Sequence, residues 1–166
     1  PGKVNQRADL LSRWKKDHTD IRLPQACFEQ VQQAFGPHSV DMFATRDNAL
    51  LPRFVSWRPD SDSVATDAFM FPMKNENPYC FPPVACIPRL LREVLHQQAT
   101  ITLVAPDWAA PWTPDLRRLL IAPPIRLLCN PAQKGSDFQN WNLTCFRISG
   151  SLLKTLAFRR AIWNCF

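Results

Sequence analysis

A stiff turn between a short β-prone run and a helix-periodic segment carries the residues best placed to do chemistry. The run Pro78 to Cys80 leads directly into Phe81-Pro82-Pro83. Two successive prolines fix φ twice and remove two backbone donors, so the chain must leave any sheet there in one preset direction. Loops at the carboxyl ends of strands are where open α/β sheets bind ligands. The sequence therefore predicts a candidate site at this turn.

Two acidic residues stand in apolar surroundings. Asp41 lies between Val40 and Met42, and Asp67 lies within the apolar segment 64–71. An ionised carboxylate among such neighbours costs several kcal/mol unless a partner or ligand satisfies it. Both aspartates are therefore expected near strand ends or in a site. A turn-facing aspartate is an alternative that the sequence leaves open.

The composition indicates one domain with a real core. The chain has 166 residues, of which 46% are apolar, and this excludes wholesale disorder. It has four glycines and sixteen prolines, so few loops can wrap a phosphate. The formal net charge of +6 is consistent with a polyanionic partner and equally with an ordinary basic surface.

The cysteines do not predict a metal site. None of the six forms a CxxC pair or a Cys/His cluster with metal-ligand spacing. Cys80 and Cys86 lie in apolar runs on either side of the two prolines, which suits free thiols of a reducing compartment. With no apolar run of about 18 residues and no signal-peptide pattern, we expect an intracellular protein without a membrane contact.

The elements that must position the site follow from periodicity. We expect helices at 24–35, 84–98 and 116–121 and strands at 39–44, 78–81, 100–105 and 125–128, with an extended segment at 50–57. The strongest helical periodicity is formed by Ile87, Leu90, Leu91, Val94 and Leu95. Arg89 and Arg92 lie on the opposite face of that helix. This order predicts an α/β domain over 21–130 with a mainly parallel sheet flanked by helices.

Residues 131–166 are expected to form a C-terminal extension with a loosely attached helix at 151–163. This helix is basic and is predicted to be amphipathic, and its charged residues include Lys154, Arg159 and Arg160. It is interpreted either as an arm for nucleic acid or as a terminal helix docked on the core.

The first thirteen residues resemble the closing motif of the ribonuclease H domain in retroelement polyproteins. The matching residues are Pro1-Gly2, Asn5, Ala8-Asp9 and Leu11-Ser12-Arg13. In that family the aspartate at the place of Asp9 helps to hold a catalytic divalent metal. Its partner carboxylates would lie upstream of Pro1, so Asp9 is an orphan and the chain is expected to be a fragment. Residues 14–20 are expected to form a linker.

A longer ordered set resembles the segment between ribonuclease H and the tyrosine recombinase in polyproteins of DIRS-type retrotransposons. The resemblance covers residues 1 to about 145. The set comprises Phe35-Gly36, Val40 to Ala44, Asn48, Leu51-Pro52, Phe54, Ser56, Pro59-Asp60, Asp67 to Phe69, Tyr79, Phe81-Pro82-Pro83, Ala105-Pro106, Trp108 and Trp112. It implies nucleic acid, as element DNA or RNA, and the other polyprotein domains as partners.

That polyprotein segment is itself similar to phage-type Dam DNA adenine-N6 methyltransferases, which are S-adenosylmethionine enzymes with a Rossmann-like sheet. Asp41, Ala44 and Asn48 match an Asp-x-x-Ala strand and the asparagine that follows it. With Asp67 they are the cofactor-binding candidates, and S-adenosylmethionine is the implied cofactor. The Phe81-Pro82-Pro83-Val84 stretch stands in place of an Asn/Asp-Pro-Pro-Tyr turn.

The turn departs from the family at the residues that matter most. Phe81 replaces the side chain that accepts a hydrogen bond from the adenine amine, and Val84 replaces the stacking tyrosine. Tyr79 is interpreted either as a base-stacking ring or as a core residue. No GxGxxG-like loop is present, which puts cofactor binding in doubt. The candidate contacts for nucleic acid are Tyr79, Arg89, Arg92, Lys154, Arg159 and Arg160.

The sequence is consistent with three functions. The first is a methyltransferase-like domain that has lost catalysis but keeps a nucleic-acid-associated role. The second is a working methyltransferase with an altered turn, and the third is an α/β structural domain without a nucleic-acid role. Cofactor titration separates the first from the second, and salt-dependent DNA binding separates the first from the third.

Overall fold

The computed structural model describes residues 22–128 and 142–163. Its helices are α1 (Gln25–Phe35), α2 (Ile87–Gln97), α3 (Thr113–Arg118) and α4 (Leu152–Trp163), with a 3₁₀ turn at Val84–Cys86. Its strands are β1 (Val40–Asp41), β2 (Val55–Ser56), β3 (Ala65–Thr66), β4 (Pro78–Cys80), β5 (Thr100–Pro106), β6 (Ile125–Arg126) and β7 (Leu143–Ser149). Asp9, the expected ribonuclease H tail and the linker lie outside the described residues.

Five strands form a mixed sheet in the order β1-β4-β5-β7-β6. The pairs β1–β4 and β4–β5 are parallel, whereas β7 is antiparallel to both β5 and β6. The parallel pair β2–β3 continues beside β1, because the N–H of Asp41 donates to the carbonyl of Arg53 at 2.9 Å. The α/β class and the mainly parallel sheet are thus confirmed, and the strand order is compatible with a Rossmann-like fold.

Helices cover the two faces of the sheet and create two apolar clusters. One cluster packs α2 and α3 on strand residues such as Ile101 and Leu103. The other packs α1 on Tyr79 and Val104. Because alternate residues of β4 and β5 point to opposite faces, both strands are buried on both sides.

The β4–α2–β5 unit is built as the sequence predicts. The strand ends at Cys80, the two prolines lead out of the sheet, and α2 begins after the 3₁₀ turn. Helix α2 buries Ile87, Leu90, Leu91 and Val94. The expectation for Leu95 is wrong: it lies near the end of the helix and is 57% exposed, because α2 ends two residues later and the chain turns through Gln98 in the left-handed region at φ 51°.

Strand β7 is the largest departure from expectation. The segment 131–166 was predicted to lie outside the domain, yet Leu143–Ser149 pairs with all seven residues of β5. Gly150 then brings the chain against the end of α2, where an added Cβ would collide with the carbonyl oxygen of Val94. The segment Leu143–Ser149 is therefore part of the sheet rather than an extension beyond it.

Helix α4 is present but does not have the predicted amphipathic character. Leu152 and Leu153 are 68% and 81% exposed, and few of its side chains are buried. Two of its basic side chains are tied to the domain. Lys154 Nζ donates to Thr100 Oγ1 at 2.9 Å, and Arg159 Nη2 donates to the Arg118 carbonyl at 3.0 Å. Across residues 22–128 and 142–163, no helix has the length and apolar character that crossing a membrane would require.

The cysteines of the described residues differ in state. Cys80, Cys86 and Cys145 are free thiols, as expected for the first two. Cys27, on the buried face of α1, is disulfide-bonded. The expectation of free thiols at Cys80 and Cys86 is therefore confirmed.

Replacing Leu91 with alanine tests the packing of α2. Leu91 is 4% exposed within the apolar cluster, so Leu91→Ala should lower the free energy of unfolding by about 2–5 kcal/mol. The next residue, Arg92, is exposed, so Arg92→Ala should change the free energy of unfolding by less than about 0.5 kcal/mol. Urea unfolding followed by circular dichroism measures both, and equal small losses would contradict this packing.

Candidate functional site

A cleft opens where the parallel strands end at the carboxyl edge of the sheet. Its volume is about 260 Å³, slightly below the range of about 300–1,000 Å³ typical of small-molecule pockets. The residues that define this strand-end cleft are Phe43, Ala44, Trp57, Asp67, Phe69 and Pro83. Most of its wall is apolar, so the cleft suits a planar or aliphatic group better than a charged one.

Asp41 ends β1 directly beneath the cleft and is only 3% exposed. Its Oδ2 accepts a hydrogen bond from the backbone N–H of Leu50 at 3.1 Å, and the backbone N–H of Phe43 also donates to this carboxylate. Burial nevertheless raises the pKa of Asp41 to about 6. The carboxylate therefore holds the loop 43–50 in place and does not face the open cleft.

The loop after β1 is bonded to itself. Asn48 Oδ1 accepts a hydrogen bond from the N–H of Thr45 at 2.6 Å, and the N–H of Ala49 donates to the Thr45 carbonyl at 3.0 Å. Ala44 contributes to the cleft wall, while Asn48 is 7% exposed. Of these two cofactor-binding candidates, only Ala44 reaches the cleft.

Asp67 lies at the rim of the cleft in an unusual backbone conformation. Its φ is 65°, in the left-handed region that non-glycine residues rarely adopt. Oδ1 of Asp67 accepts a hydrogen bond from the N–H of Phe69 at 2.9 Å. The Phe69 ring meets the Phe43 ring edge-on at 5.7 Å and carries the Arg89 guanidinium at 3.9 Å from its centroid. Asp67 and Arg89 thus place opposite charges beside an aromatic wall.

The proline turn lies at the carboxyl end of β4, but only part of it faces the cleft. Pro83 lines the cleft, whereas Pro82 is buried and Phe81 packs against the α1-side cluster. Tyr79 belongs to that cluster, is 1% exposed and meets the Phe28 ring edge-on at 5.0 Å. Its burial excludes base stacking in this conformation, so the core interpretation of Tyr79 is the one that fits.

The described residues do not fit S-adenosylmethionine as a whole. The apolar walls at Phe43 and Phe69 suit the adenine ring of the cofactor. The polar groups expected to hold its charged part are used internally, since Asp41 and Asn48 bond to the backbone of their own loop. No glycine in 43–50 permits a close backbone approach. The cleft therefore offers a ring-binding surface, and Asp67 is the single charged residue among its lining residues.

The basic residues expected to contact nucleic acid lie on two helices. Arg89 and Arg92 are exposed on α2. Lys154 and Arg159 are hydrogen-bonded to the domain, and Arg160 is exposed on α4. Among the described residues, no three His, Cys, Asp or Glu side chains cluster in a way that could hold a metal ion.

Sequence reasoning missed a buried polar chain on the α1 side of the sheet. Arg147 Nη1 donates to Thr102 Oγ1 at 2.8 Å and to Asn77 Oδ1 at 2.7 Å. His38 Nε2 lies 2.8 Å from Thr102 Oγ1, and His38 Nδ1 lies 2.7 Å from Gln32 Oε1. Because the Gln32 oxygen can only accept, Nδ1 carries the proton and Nε2 accepts from Thr102.

The electrostatics of this chain agree with a neutral imidazole. Burial, with a smaller contribution from the Arg147 charge, lowers the pKa of His38 to about 4. Burial also lowers the pKa of Arg147. In the sequence, the only signal for this hydrogen-bonded chain is the presence of polar residues within β-prone runs. Which of these residues contact one another depends on β7, and β7 was not predicted.

Replacing Tyr79 with phenylalanine tests its core role. The Tyr79 hydroxyl is buried and has no hydrogen-bond partner among the described residues, a condition that costs about 1–3 kcal/mol. Tyr79→Phe should therefore raise the free energy of unfolding by about 1 kcal/mol. Tyr79→Leu, which also removes the ring, should lower it. A clear loss of stability in the phenylalanine variant, measured by urea unfolding, would show that the hydroxyl is satisfied.

The raised pKa of Asp41 predicts how stability depends on pH. In the folded chain this carboxyl titrates near 6 instead of 3.8, so folding favours its protonated form. The contribution of the protonated Asp41 carboxyl to folding stability is therefore complete below about pH 4. It is lost as the pH rises through 6. Asp41→Asn removes this titration and keeps an acceptor for Leu50. Relative to the wild type, the asparagine variant should gain up to about 3 kcal/mol between pH 4 and pH 7. Urea unfolding of both proteins at several pH values in that range measures the difference in their free energy of unfolding. This difference should grow as the pH rises, and a constant difference would contradict the prediction.

Comparison with known proteins does not assign the chain to a family. No family model matches the sequence, and no curated protein matches it. The likeness to retroelement and methyltransferase sequences therefore remains a prediction from the residues themselves.

Proposed function

We propose that this chain is the methyltransferase-like domain of a DIRS-type retroelement polyprotein, that it no longer transfers methyl groups, and that it has a nucleic-acid-associated role inside the cell. The observation that carries the proposal is the turn after β4. Phe81 stands at the acceptor position and packs its ring into the α1-side cluster.

The chemistry of amine methylation explains why this residue decides the activity. Adenine N6 gives up a proton during methylation and needs an oxygen acceptor close to its two N–H groups. A phenyl ring has no lone pair for this purpose. Val84, which follows the prolines, also has no aromatic face for a flipped base. The rigid turn remains, but it positions no group that could act on an amine.

The strand order supports the methyltransferase-like part of the proposal. With β2 and β3 beside β1, the strands run 3-2-1-4-5, followed by β7 and β6. This is the doubly wound order with one antiparallel strand inserted before the sixth. Ligands of such sheets bind at the carboxyl edge, where the order reverses between β1 and β4, and the strand-end cleft lies at that place.

Charge and aromatic surface support the association with nucleic acid. The chain carries a formal net charge of +6. At the cleft, Arg89 lies over Phe69 and Arg58 lies 4.2 Å from the centroid of the Trp57 ring. Guanidinium groups stacked on aromatic rings provide both cation–π contacts and phosphate binding. Element DNA or RNA and the other domains of the polyprotein are the partners that this role implies.

A methyl-transfer assay tests the proposal. Purified protein with labelled S-adenosylmethionine and adenine-containing DNA should give no labelled product, and calorimetric titration with the cofactor should show no saturable binding. Phe81→Asn combined with Val84→Tyr should not restore activity, because the loop 43–50 still offers no polar contacts to the cofactor.

Adenine methylation by the unmodified protein, abolished by Asp41→Ala, would overturn the proposal and make the domain a working enzyme. Absence of salt-dependent binding to DNA and to RNA would instead favour the α/β structural domain. The two measurements are independent, so each part of the proposal can fail alone.

A further inference from the structure

A second cavity lies at the carboxyl edge of the sheet, beyond the end of β5. It has a volume of about 260 Å³ and lies between α3, the end of β6 and the start of β7. The residues that define this tryptophan pocket are Trp108, Trp112, Arg117, Arg126, Thr144 and Phe146. None of them lines the strand-end cleft.

The floor and rim of the tryptophan pocket are aromatic. Trp112 is 7% exposed and fixed in the apolar cluster of α2 and α3, and Phe146 packs against the same cluster. Trp108 lies at the rim and is 42% exposed. Its indole ring follows the end of β5 directly, so a rigid strand positions it. An exposed indole beside a fixed aromatic floor suits a planar ring.

The rim of the pocket is also positively charged. Arg117 and Arg126 are exposed, and Asp107 is the single carboxylate among the lining residues. Within the described residues Arg117 has no ion pair. Arg126 donates through Nη2 to Asn142 Oδ1 at 2.7 Å, which fixes the side chain without neutralising it. Two guanidinium groups against one carboxylate leave a net positive rim.

Thr144 adds a polar group inside the pocket. Its side chain is 5% exposed and contributes to the pocket wall. Its hydroxyl is the only side-chain hydroxyl besides that of Thr113 among the residues that line the pocket. A ligand in the pocket would meet this hydroxyl beside the aromatic floor.

We propose that the tryptophan pocket takes one nucleotide of a single-stranded nucleic acid. The base stacks on Trp108, the Thr144 hydroxyl contacts a polar edge of the nucleotide, and Arg117 and Arg126 bind the flanking phosphates. This inference rests on the nucleic-acid association proposed above and gives it a location. A free nucleotide has the same ring and phosphate chemistry, but it lacks the neighbouring phosphates that two separate guanidinium groups can bind.

Fluorescence anisotropy with a labelled twelve-nucleotide single strand tests the location. Trp108→Ala should weaken binding about 5- to 100-fold, and Trp108→Phe should keep most of the affinity. Arg117→Ala should weaken binding and lower the slope of log K against log salt by about 0.7. Lys74→Ala removes an equal charge from the exposed turn before β4, at the other edge of the sheet, and should leave both quantities unchanged. Urea midpoints establish that the variants are folded.

The outcomes separate the two proposals. If the Trp108→Ala and Arg117→Ala variants bind the single strand as well as the wild type does, the assignment of the pocket is wrong. The association of the domain with nucleic acid would then still stand. If no strand binds, both fail. Adenosine monophosphate is the competing probe, and displacement of the strand at equal concentrations would show that the pocket serves a free nucleotide, which overturns the single-strand assignment.

Discussion

Hydrogen bonding along both edges of β5 is the constraint on which the rest of the structure depends. β4 pairs with one edge through Tyr79↔Thr102 and Cys80↔Leu103, and β7 pairs with the other along its whole length. Helices cover both faces of β5, so six of its seven residues are buried. Because β5 has a paired strand at each edge and helices on each face, the position of its carboxyl end is fixed. The proline turn and both cavities are positioned relative to that end.

The polar side chains at the two cavities differ in how far the chain itself uses them. Beside the strand-end cleft, two of the candidate polar side chains are bonded within their own loop, Asp41 to the Leu50 N–H and Asn48 to the Thr45 N–H. A ligand there would have to compete with bonds that hold the loop together. At the tryptophan pocket, the Arg117 guanidinium has no ion pair within the described residues. The charged groups that remain available to a ligand therefore lie at the pocket that local sequence patterns did not identify.

Local signals in the sequence predicted the β4–α2–β5 unit because each of its parts is specified by neighbouring residues. Two prolines define the turn, a 3.6-residue period defines α2, and a β-branched run defines β5. Because an ionised carboxylate is costly to bury, the sequence predicted that Asp41 lies near a strand end or in a site. Its hydrogen bond with the Leu50 N–H was not predicted, since that bond depends on the conformation of the loop. β7 could not be predicted in this way, since its position between β5 and β6 is set by pairing with residues far away in the chain. The tryptophan pocket and the His38–Thr102–Arg147 chain both need β7, so they were missed with it.

The position of β7 in the chain also determines when the sheet can close during synthesis. At roughly 5–20 residues per second, its residues leave the ribosome a few seconds after those of β5. Until then β5 has an open, apolar and β-branched edge, which is the kind of edge that pairs with other chains. A messenger truncated before Leu143 would leave that edge open permanently. Products that end between β6 and β7 should therefore aggregate or be degraded rather than persist as shorter folded domains.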